Sequence, residues 1–361
     1  MTTDALVWTG SEAGEECAAD LAYQDVALKG VSRTFALTIP QLPPHLMTVV
    51  GNAYLLCRIA DTIEDCETLS FEQKQSFYEQ FIAILSEDAP PEPFAQGLAP
   101  LLAEAMSREE RDLIANTGRV VRITRRFSPV ERKAIVRCVR IMSSGMEQFQ
   151  KDHFAHGLRD LPQMDAYCYH VAGVVGEMLT ELFCAYSPEA AKEKDRLWRL
   201  SVSFGQGLQM TNILKDIWDD QERGVCWLPR DVFADAGFNL DDLAPGCQNE
   251  GFERGLERLI AVAHGHLQNA LAYTMLLPKH EEGMRQFCLW ALGMAVLTLD
   301  RINSRRDFNS GQDVKISRRA VRATILASRL CGRSNVLLKG AFRFAARRLP
   351  AAPADVVQAS R

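Results

Sequence analysis

No stretch of the 361-residue chain reaches the roughly 18 consecutive apolar residues that a membrane-spanning helix needs. The nearest approach, residues 287–299, is closed by Arg285 and Asp300 and predicts a buried core helix. The start of the chain has early acids where a secretory leader would carry a basic run followed by an apolar one, so a cytoplasmic location is expected. Ten cysteines, at positions 17, 57, 66, 138, 168, 184, 226, 247, 288 and 331, nowhere form C-x-x-C and nowhere cluster with histidine. That excludes the usual zinc and iron–sulfur signatures and predicts mostly reduced core thiols. With 15 prolines and 23 glycines there is too little of either for an interdomain linker, and no repeat of 20 to 50 residues is evident. Alternating period-two runs are few, which excludes a largely β protein.

What is present is helical spacing and a divided charge. Apolar residues from Leu46 to Cys57 recur at steps of three and four, and Ser70 precedes an amphipathic run through Phe77, Phe81, Ile84 and Leu85. Further helices are predicted over 99–115, 129–153, 164–186, 188–221, 251–276, 281–303 and 318–346. Residues 301–361 hold fourteen Lys and Arg against three acids, a net +11, which leaves −16 on residues 1–300 of a chain whose total is −5. Such a basic end serves nucleic acid, anionic lipid or the protein's own acidic surface. Lys339, Arg343 and Arg347 at i, i+4 and i+8, amid Leu337, Leu338 and Phe344, make it amphipathic: packing of its apolar side on the core with its charges toward the acidic body is the default, peripheral membrane contact is the alternative, and nucleic acid is not expected.

One short element occurs twice. Asp61-Thr62-Ile63-Glu64-Asp65 and Asp216-Ile217-Trp218-Asp219-Asp220 are both D-x-x-[DE]-D, each inside an apolar helical pattern. At i and i+4 on one helix face, two carboxylates repel by a few tenths of a kcal/mol, roughly, per pair. A single pentad would read as a solvated acidic face. Two alike, preceded by Leu55, Leu56 and Ile59 in one case and Met210, Ile213 and Leu214 in the other, point to a compensating ligand. Oxygen-only sets (Asp61, Glu64 and Asp65; Asp216, Asp219 and Asp220) suit a hard divalent cation, Mg²⁺ or Mn²⁺, that shares its shell with substrate phosphates. Arg58 and Lys215 add a cation beside each pentad, and Gln209 and Asn212 put two amides on the approach to Asp216. The chemistry implied is ionisation of an allylic diphosphate.

These residues, with Val31-Ser32-Arg33-Thr34-Phe35-Ala36 and Tyr167-Cys168-Tyr169-His170-Val171-Ala172-Gly173-Val174-Val175-Gly176, resemble the squalene/phytoene synthases from about Gly30 to Ala320. The resemblance implies an all-α isoprenoid synthase bundle around a central apolar cavity, as one domain over 26–349 between a partly flexible N-terminal segment (1–25) and a flexible tail (350–361). It implies Mg²⁺ on Asp61, Asp65, Asp216 and Asp220, and diphosphates on Arg33, Arg58 and Lys215. Ser32 and Phe35 belong to the same mouth, and Tyr167 to the first half-reaction. Ala172, Gly173 and Gly176, with Val175 between them, give either clearance for a prenyl chain or close helix packing. Lys215 stands where most relatives have Arg, and Val225 where many have Arg, with Arg223 as its substitute.

Within the family, Gln286-Phe287-Cys288 and the run Asp313-Val314-Lys315-Ile316-Ser317-Arg318-Arg319-Ala320 look like squalene synthase segments. They imply farnesyl diphosphate as substrate, with Lys315 and Arg318 on NADPH phosphates. Dehydrosqualene or phytoene synthesis without reductant, or a non-catalytic helical scaffold, are the alternatives. The sequence shows no apolar anchor at its end, and on this resemblance a bacterial form serving sterol or hopanoid synthesis, at most peripheral at the inner membrane face, is expected.

Overall fold

The structure, a computed structural model, describes residues 11–32, 34–102, 106–150, 154–247 and 249–357, with the side chains of 11–13 left aside. Eighteen α-helices and no strand occur among them, beyond one isolated parallel bridge between Leu158 and Pro229. The chain divides into two compact units, Met1–Ser143 and Ser144–Arg361, the division falling inside a helix.

The first unit contains α1 (Ser11–Val31), α2 (Phe35–Thr38), α3 (Pro44–Asp65), α4 (Phe71–Ser86), α5 (Glu92–Leu98), α6 (Arg108–Ala115), α7 (Thr117–Thr124) and most of α8 (Pro129–Gln150). Its centre is α3, whose Leu46, Val49, Val50, Ala53, Leu56, Ile59, Ala60 and Ile63 are buried. By length and composition α3 could cross a bilayer, but two thirds of its apolar stretch is buried in the structure, as in the core helix of a folded protein. A buried amide then fixes its neighbours. Asn52 Nδ2 donates to Gln24 Oε1 at 3.1 Å and to the Val120 carbonyl at 2.9 Å, and its Oδ1 accepts from Thr124 Oγ1 at 2.7 Å, joining α1, α3 and α7. Satisfied this way, a buried polar group specifies one packing. Ser70 and Ser107 each open a helix with a capping box, with Gln73 and Glu110 as the reciprocal partners. The segment expected as a loose start, 1–25, includes α1 from Ser11 onward.

The second unit takes the end of α8 and then α9 (Leu161–Cys168), α10 (Val174–Tyr186), α11 (Pro188–Lys192), α12 (Lys194–Lys215), α13 (Ile217–Glu222), α14 (Arg230–Ala234), α15 (Glu250–Leu276), α16 (Glu282–Ser304), α17 (Arg318–Cys331) and α18 (Asn335–Ala345). Four predicted helices are broken. Among the described residues of 99–115 an α-helix covers only Arg108–Ala115, opened by the Ser107 cap after a 3₁₀ turn at Ala99–Leu101. Residues 188–221 divide at Glu193 and again at Asp216; 318–346 divide at Gly332–Ser334; and 164–186 contain a π-helical turn at Tyr169–Gly173, where the Val174 amide reaches back to the Tyr169 carbonyl. Arg347 therefore lies past the end of α18, not on one helix face with Lys339 and Arg343.

At the crossing of α10 and α12 the two helices touch through glycine. A Cβ on Gly176 would stand 2.0 Å from the Ser201 carbonyl oxygen, and one on Gly205 would stand 2.2 Å from that of Ala172. Close helix packing is thus the reading of the small residues that the structure supports. The stretch from Pro350, expected to be flexible, is tied to α15 as far as Val356: the Pro350 carbonyl lies 2.9 Å from His264 Nδ1, and the Val356 carbonyl accepts from Asn269 Nδ2 at 2.8 Å. Residues 287–299 lie within α16 as the expected core helix, and all ten cysteines are free, seven of them buried.

Candidate active site

In the first unit the acidic pentad forms the last turns of α3. Arg58 reaches Asp61 Oδ2 at 3.5 Å and Asp65 Oδ2 at 3.9 Å, and pairs most closely with Glu110. Glu110 is itself fixed by its capping box, its Oε2 accepting from the Ser107 amide at 3.0 Å and hydroxyl at 2.8 Å. A cap at the start of α6 thus aims the guanidinium that serves the pentad. Sequence reading overlooked Glu110, although Ser107-x-x-Glu110 is a capping signature. Arg58 Nε is buried without a hydrogen-bond partner. Burial raises the Asp61 carboxyl above the usual carboxylate range, opposed by Arg58 and reinforced by Asp65. Glu64 is half-buried, and its carbonyl accepts from Lys74 Nζ at 2.5 Å.

The preceding segment folds back to the same helix. Buried Ser32 accepts from the Phe35 and Ala36 amides at 3.0 and 3.2 Å, and the Phe35 ring lies 5.4 Å from that of Tyr54, one turn before Arg58. Arg33 lies outside the described residues.

In the second unit Asp216 ends α12 and opens α13, so the pentad straddles a helix junction rather than lying within one helix. The backbone ladder still passes through it, with the Asp216 amide on the Asn212 carbonyl at 2.9 Å and the Asp220 amide on the Asp216 carbonyl at 2.8 Å. Lys215 Nζ lies 3.0 Å from Asp216 Oδ2, and Arg223 pairs with Asp220. Burial raises both carboxyls, opposed by Lys215 at Asp216 and by Arg223 at Asp220, which is pushed up to about 6. Arg223, the expected stand-in for a cation at Val225, thus sits on the pentad. Asp219 and Asn212 are exposed, and Gln209 is half-buried.

A loop closes over this pentad. Trp218, inside the motif, donates its indole N–H to the Phe308 carbonyl at 2.7 Å, and Asp313 accepts from the Asn309 and Ser310 amides at 3.0 and 3.1 Å. Gly311 at its tip comes so near that a Cβ there would lie 3.0 Å from Asp216 Oδ1 and 3.4 Å from Asp219 Oδ2. The loop leads directly into exposed Lys315, whose Nζ lies 3.3 Å from Gln312 Oε1, and exposed Arg318 at the start of α17.

Tyr167 is buried between two aromatics, its ring stacked on Trp227 at 3.9 Å and 8° and edge-on to Phe149 at 5.2 Å. Trp227 is pinned by a short backbone ladder, with the Cys226 amide on the Phe154 carbonyl at 2.8 Å and the Leu158 amide on the Leu228 carbonyl at 2.9 Å. Two residues earlier on α9, burial alone pushes the Asp165 carboxyl up to about 6, and its Oδ1 has no partner. The aromatic support and this carboxyl were not legible from motif spacing. Ala172 and half-buried Val175 flank the glycine crossing.

Among the described residues no three His, Cys, Asp or Glu side chains converge as a ready-made metal cage. The acids of both pentads are nevertheless oxygen ligands, and Asp61, Asp65, Asp216 and Asp220 each have a cation at hand, an arrangement that can receive a metal together with an anionic ligand.

Comparison with known proteins places these motifs. The family model described as squalene/phytoene synthase matches residues 28–320. The chain is 29% identical over 280 residues to the squalene synthase of Eremothecium gossypii, covering 75% of this chain and 60% of that one. It is 26% identical over 273 residues to the squalene synthase of Gibberella zeae, covering 75% and 56%. The chain therefore spans little more than half the length of these curated relatives. Both are fungal, which gives the expected bacterial origin no support. A solved complex of TcSQS with the ligand E5700 superposes with a TM-score of 0.73 at 23% identity, covering 91% of this chain and 98% of that one, and so shares the fold.

Proposed function

Since the chain belongs to the squalene/phytoene synthase family, we propose that it is a squalene synthase: it joins two farnesyl diphosphates head to head into presqualene diphosphate and reduces that intermediate to squalene with NADPH. The observation that carries this reading is the pair of acidic motifs, each with its own cation and each on otherwise buried helices. The similarity to fungal squalene synthases over three quarters of the chain supports the choice of product.

The donor sets fit Mg²⁺, which keeps waters and substrate phosphates and takes only one or two carboxylates from the protein. Asp61, Glu64 and Asp65 would hold it in one unit, and Asp216, Asp219 and Asp220 in the other. Gly311 fits the same purpose, since any larger residue would fill the space against Asp216 and Asp219. When bound, the metal neutralises diphosphate charge and so favours departure of the leaving group. The chain's own residues do the rest. Arg58 presents a buried, unpartnered Nε–H, a donor suited to a phosphate oxygen. Lys215 adds a point charge beside Asp216. Tyr167, clamped by Trp227 and Phe149, has a fixed ring position from which its hydroxyl can pass or receive a proton. Lys315 and Arg318, at the exit of the Gly311 loop, would meet the NADPH phosphates.

Incubation of the protein with farnesyl diphosphate and Mg²⁺, with and without NADPH, tests the reading by product analysis. Squalene formed only with NADPH is the expected result. Equal yield of a C30 product of one saturation state without any reductant replaces it with dehydrosqualene synthesis. Absence of pyrophosphate release with Mg²⁺ leaves a scaffold.

A further inference from the structure

Helices α17 and α18 carry apolar residues on their outward faces as well as on their inward ones. They are joined by the three residues Gly332–Ser334 and pack on each other. On α17 the exposed stripe is Ala323, Leu326, Ala327 and Leu330, at i, i+3, i+4 and i+7, with Leu326 59% and Leu330 72% exposed. On α18 Val336 is 79%, Leu337 53% and Phe344 69% exposed. Five of the nine large apolar side chains exposed among the described residues therefore lie on this one helix pair. The inward side is already satisfied: Leu338 is buried, and Gln286 Nε2 on α16 donates to the Ser328 carbonyl at 2.9 Å. The outward stripes are a surplus that core packing does not explain.

The charge around them has one sign. From Val314 to Ala354 the chain has no Asp or Glu and ten Lys or Arg. Arg322, Arg329, Lys339 and Arg343 are exposed and interleave with the apolar stripes. Only part of this charge is answered from within, by Glu282 on Arg333 and Asp300 on Arg348. The Arg347 guanidinium lies over the Phe344 ring, 4.2 Å from its centroid, an aromatic and cationic pair of the kind that sits at a lipid headgroup boundary. An acidic protein or nucleic acid would match the cations but leave the Leu and Val side chains unused. A bilayer with anionic headgroups uses both.

We infer that the α17–α18 pair is a membrane-docking surface that lies on an anionic bilayer without crossing it, inserting Leu326, Leu330, Val336, Leu337 and Phe344 while the flanking cations meet headgroup phosphates. The surface chemistry stands independently of the proposed reaction; if that reaction holds, the surface gives a water-insoluble product a direct route into lipid.

The test is co-sedimentation of the full chain, free of substrate and Mg²⁺, with vesicles of phosphatidylcholine containing about a third phosphatidylglycerol, against phosphatidylcholine alone. The expected result is binding to the anionic vesicles that weakens with salt. Lys339→Gln with Arg343→Gln lowers the partition coefficient about 25-fold, at about fivefold per cation. Leu330→Glu with Phe344→Glu removes binding, while helix content and pyrophosphate release in solution stay at the parent level. Equal binding to neutral vesicles, or indifference to both double variants, overturns the inference. So does a concentration-dependent dimer, seen by sedimentation and abolished by Leu330→Glu with Phe344→Glu, in a protein that ignores vesicles, since a second copy then covers the face. Vesicle binding without pyrophosphate release would sink the proposed reaction and leave this surface standing.

Discussion

Gly205→Ala and Gly340→Ala are one chemical change with opposite expected signs. Both residues lie within helices, where alanine is better than glycine by about 1 kcal/mol. At Gly340 nothing lies within 4 Å of the added Cβ, so only that gain remains. At Gly205 the Cβ would lie 2.2 Å from the Ala172 carbonyl oxygen, 2.5 Å from its carbon and 2.8 Å from the Gly173 nitrogen. Contact at about 3.5 Å then demands a movement of roughly 1.3 Å, and the obstacle is backbone that cannot rotate away. Overpacking costs of about 1–3 kcal/mol apply at their upper end, leaving a net loss of about 2 kcal/mol or more after the propensity gain. For a body of this size each kcal/mol is about 2–4 °C, so Gly205→Ala melts about 4–8 °C or more below the parent and Gly340→Ala about 2–4 °C above it. Circular dichroism melts and urea titrations of the three proteins measure this. A Gly205→Ala protein as stable as the parent, or a Gly340→Ala protein that loses stability, would refute the account of the crossing.

Other expectations concern the site and its supports. Asp61→Asn or Asp216→Asn lowers farnesyl diphosphate turnover by orders of magnitude with the fold intact, as circular dichroism and pyrophosphate release together would show; normal turnover in both removes the metal assignment. Glu110→Gln removes the charge that holds Arg58, so KM for farnesyl diphosphate rises by about tenfold and the melting temperature falls by a few degrees, because charge-assisted pairs contribute about 1.5–3 kcal/mol. Tyr167→Phe keeps substrate affinity but impairs presqualene diphosphate formation, read in a single turnover. The His45 and Glu131 pair, 2.5 Å apart, gives a pH dependence. The Glu131 hydrogen bond raises His45 from 6.5 against burial, while hydrogen bonds from His45 and Ser128 outweigh burial and lower Glu131 from 4.5. The His45 contribution is complete below pH 6.5 and lost as pH rises through its raised value; the Glu131 contribution is present above pH 4.5 and lost on acidification. Urea midpoints of the parent should therefore fall relative to His45→Gln between pH 6 and 9, and parallel curves would refute the pairing.

The all-helical class and the first pentad were legible because each depends on spacing along one helix, and the second pentad was legible as a repeat of the first one's pattern of acids. Residues 46–57 repeat at three and four, and Asp61 and Asp65 share a face whatever surrounds them. What the spacing concealed was set by contacts distant in sequence. Asp216 leaves helical geometry where Trp218 is tied to Phe308, ninety residues on. Glu110 serves Arg58 across fifty-two positions, and Tyr167 owes its fixed ring to Trp227, sixty residues later. The break at Gly332 was legible in part, since Ser334 caps α18 by accepting from the Leu337 amide at 3.4 Å, but a continuous apolar period masked it.

The π-helical turn at Tyr169–Gly173 makes that stretch a register adjuster. One residue more than an α-helical turn needs is stored there, and each residue of an α-helix turns its successors by 100° and advances them 1.5 Å. Upstream, Tyr167 faces Trp227; downstream, Gly176 faces Ser201; a plain α-helix holding either one would rotate the other away by about that angle. Deletion of one residue within 169–173 can therefore yield a sound, even more regular helix that no longer holds both neighbours. Engineered insertions and deletions here should separate helicity from activity: circular dichroism would report a folded chain, and turnover would report that its two ends have lost their common phase.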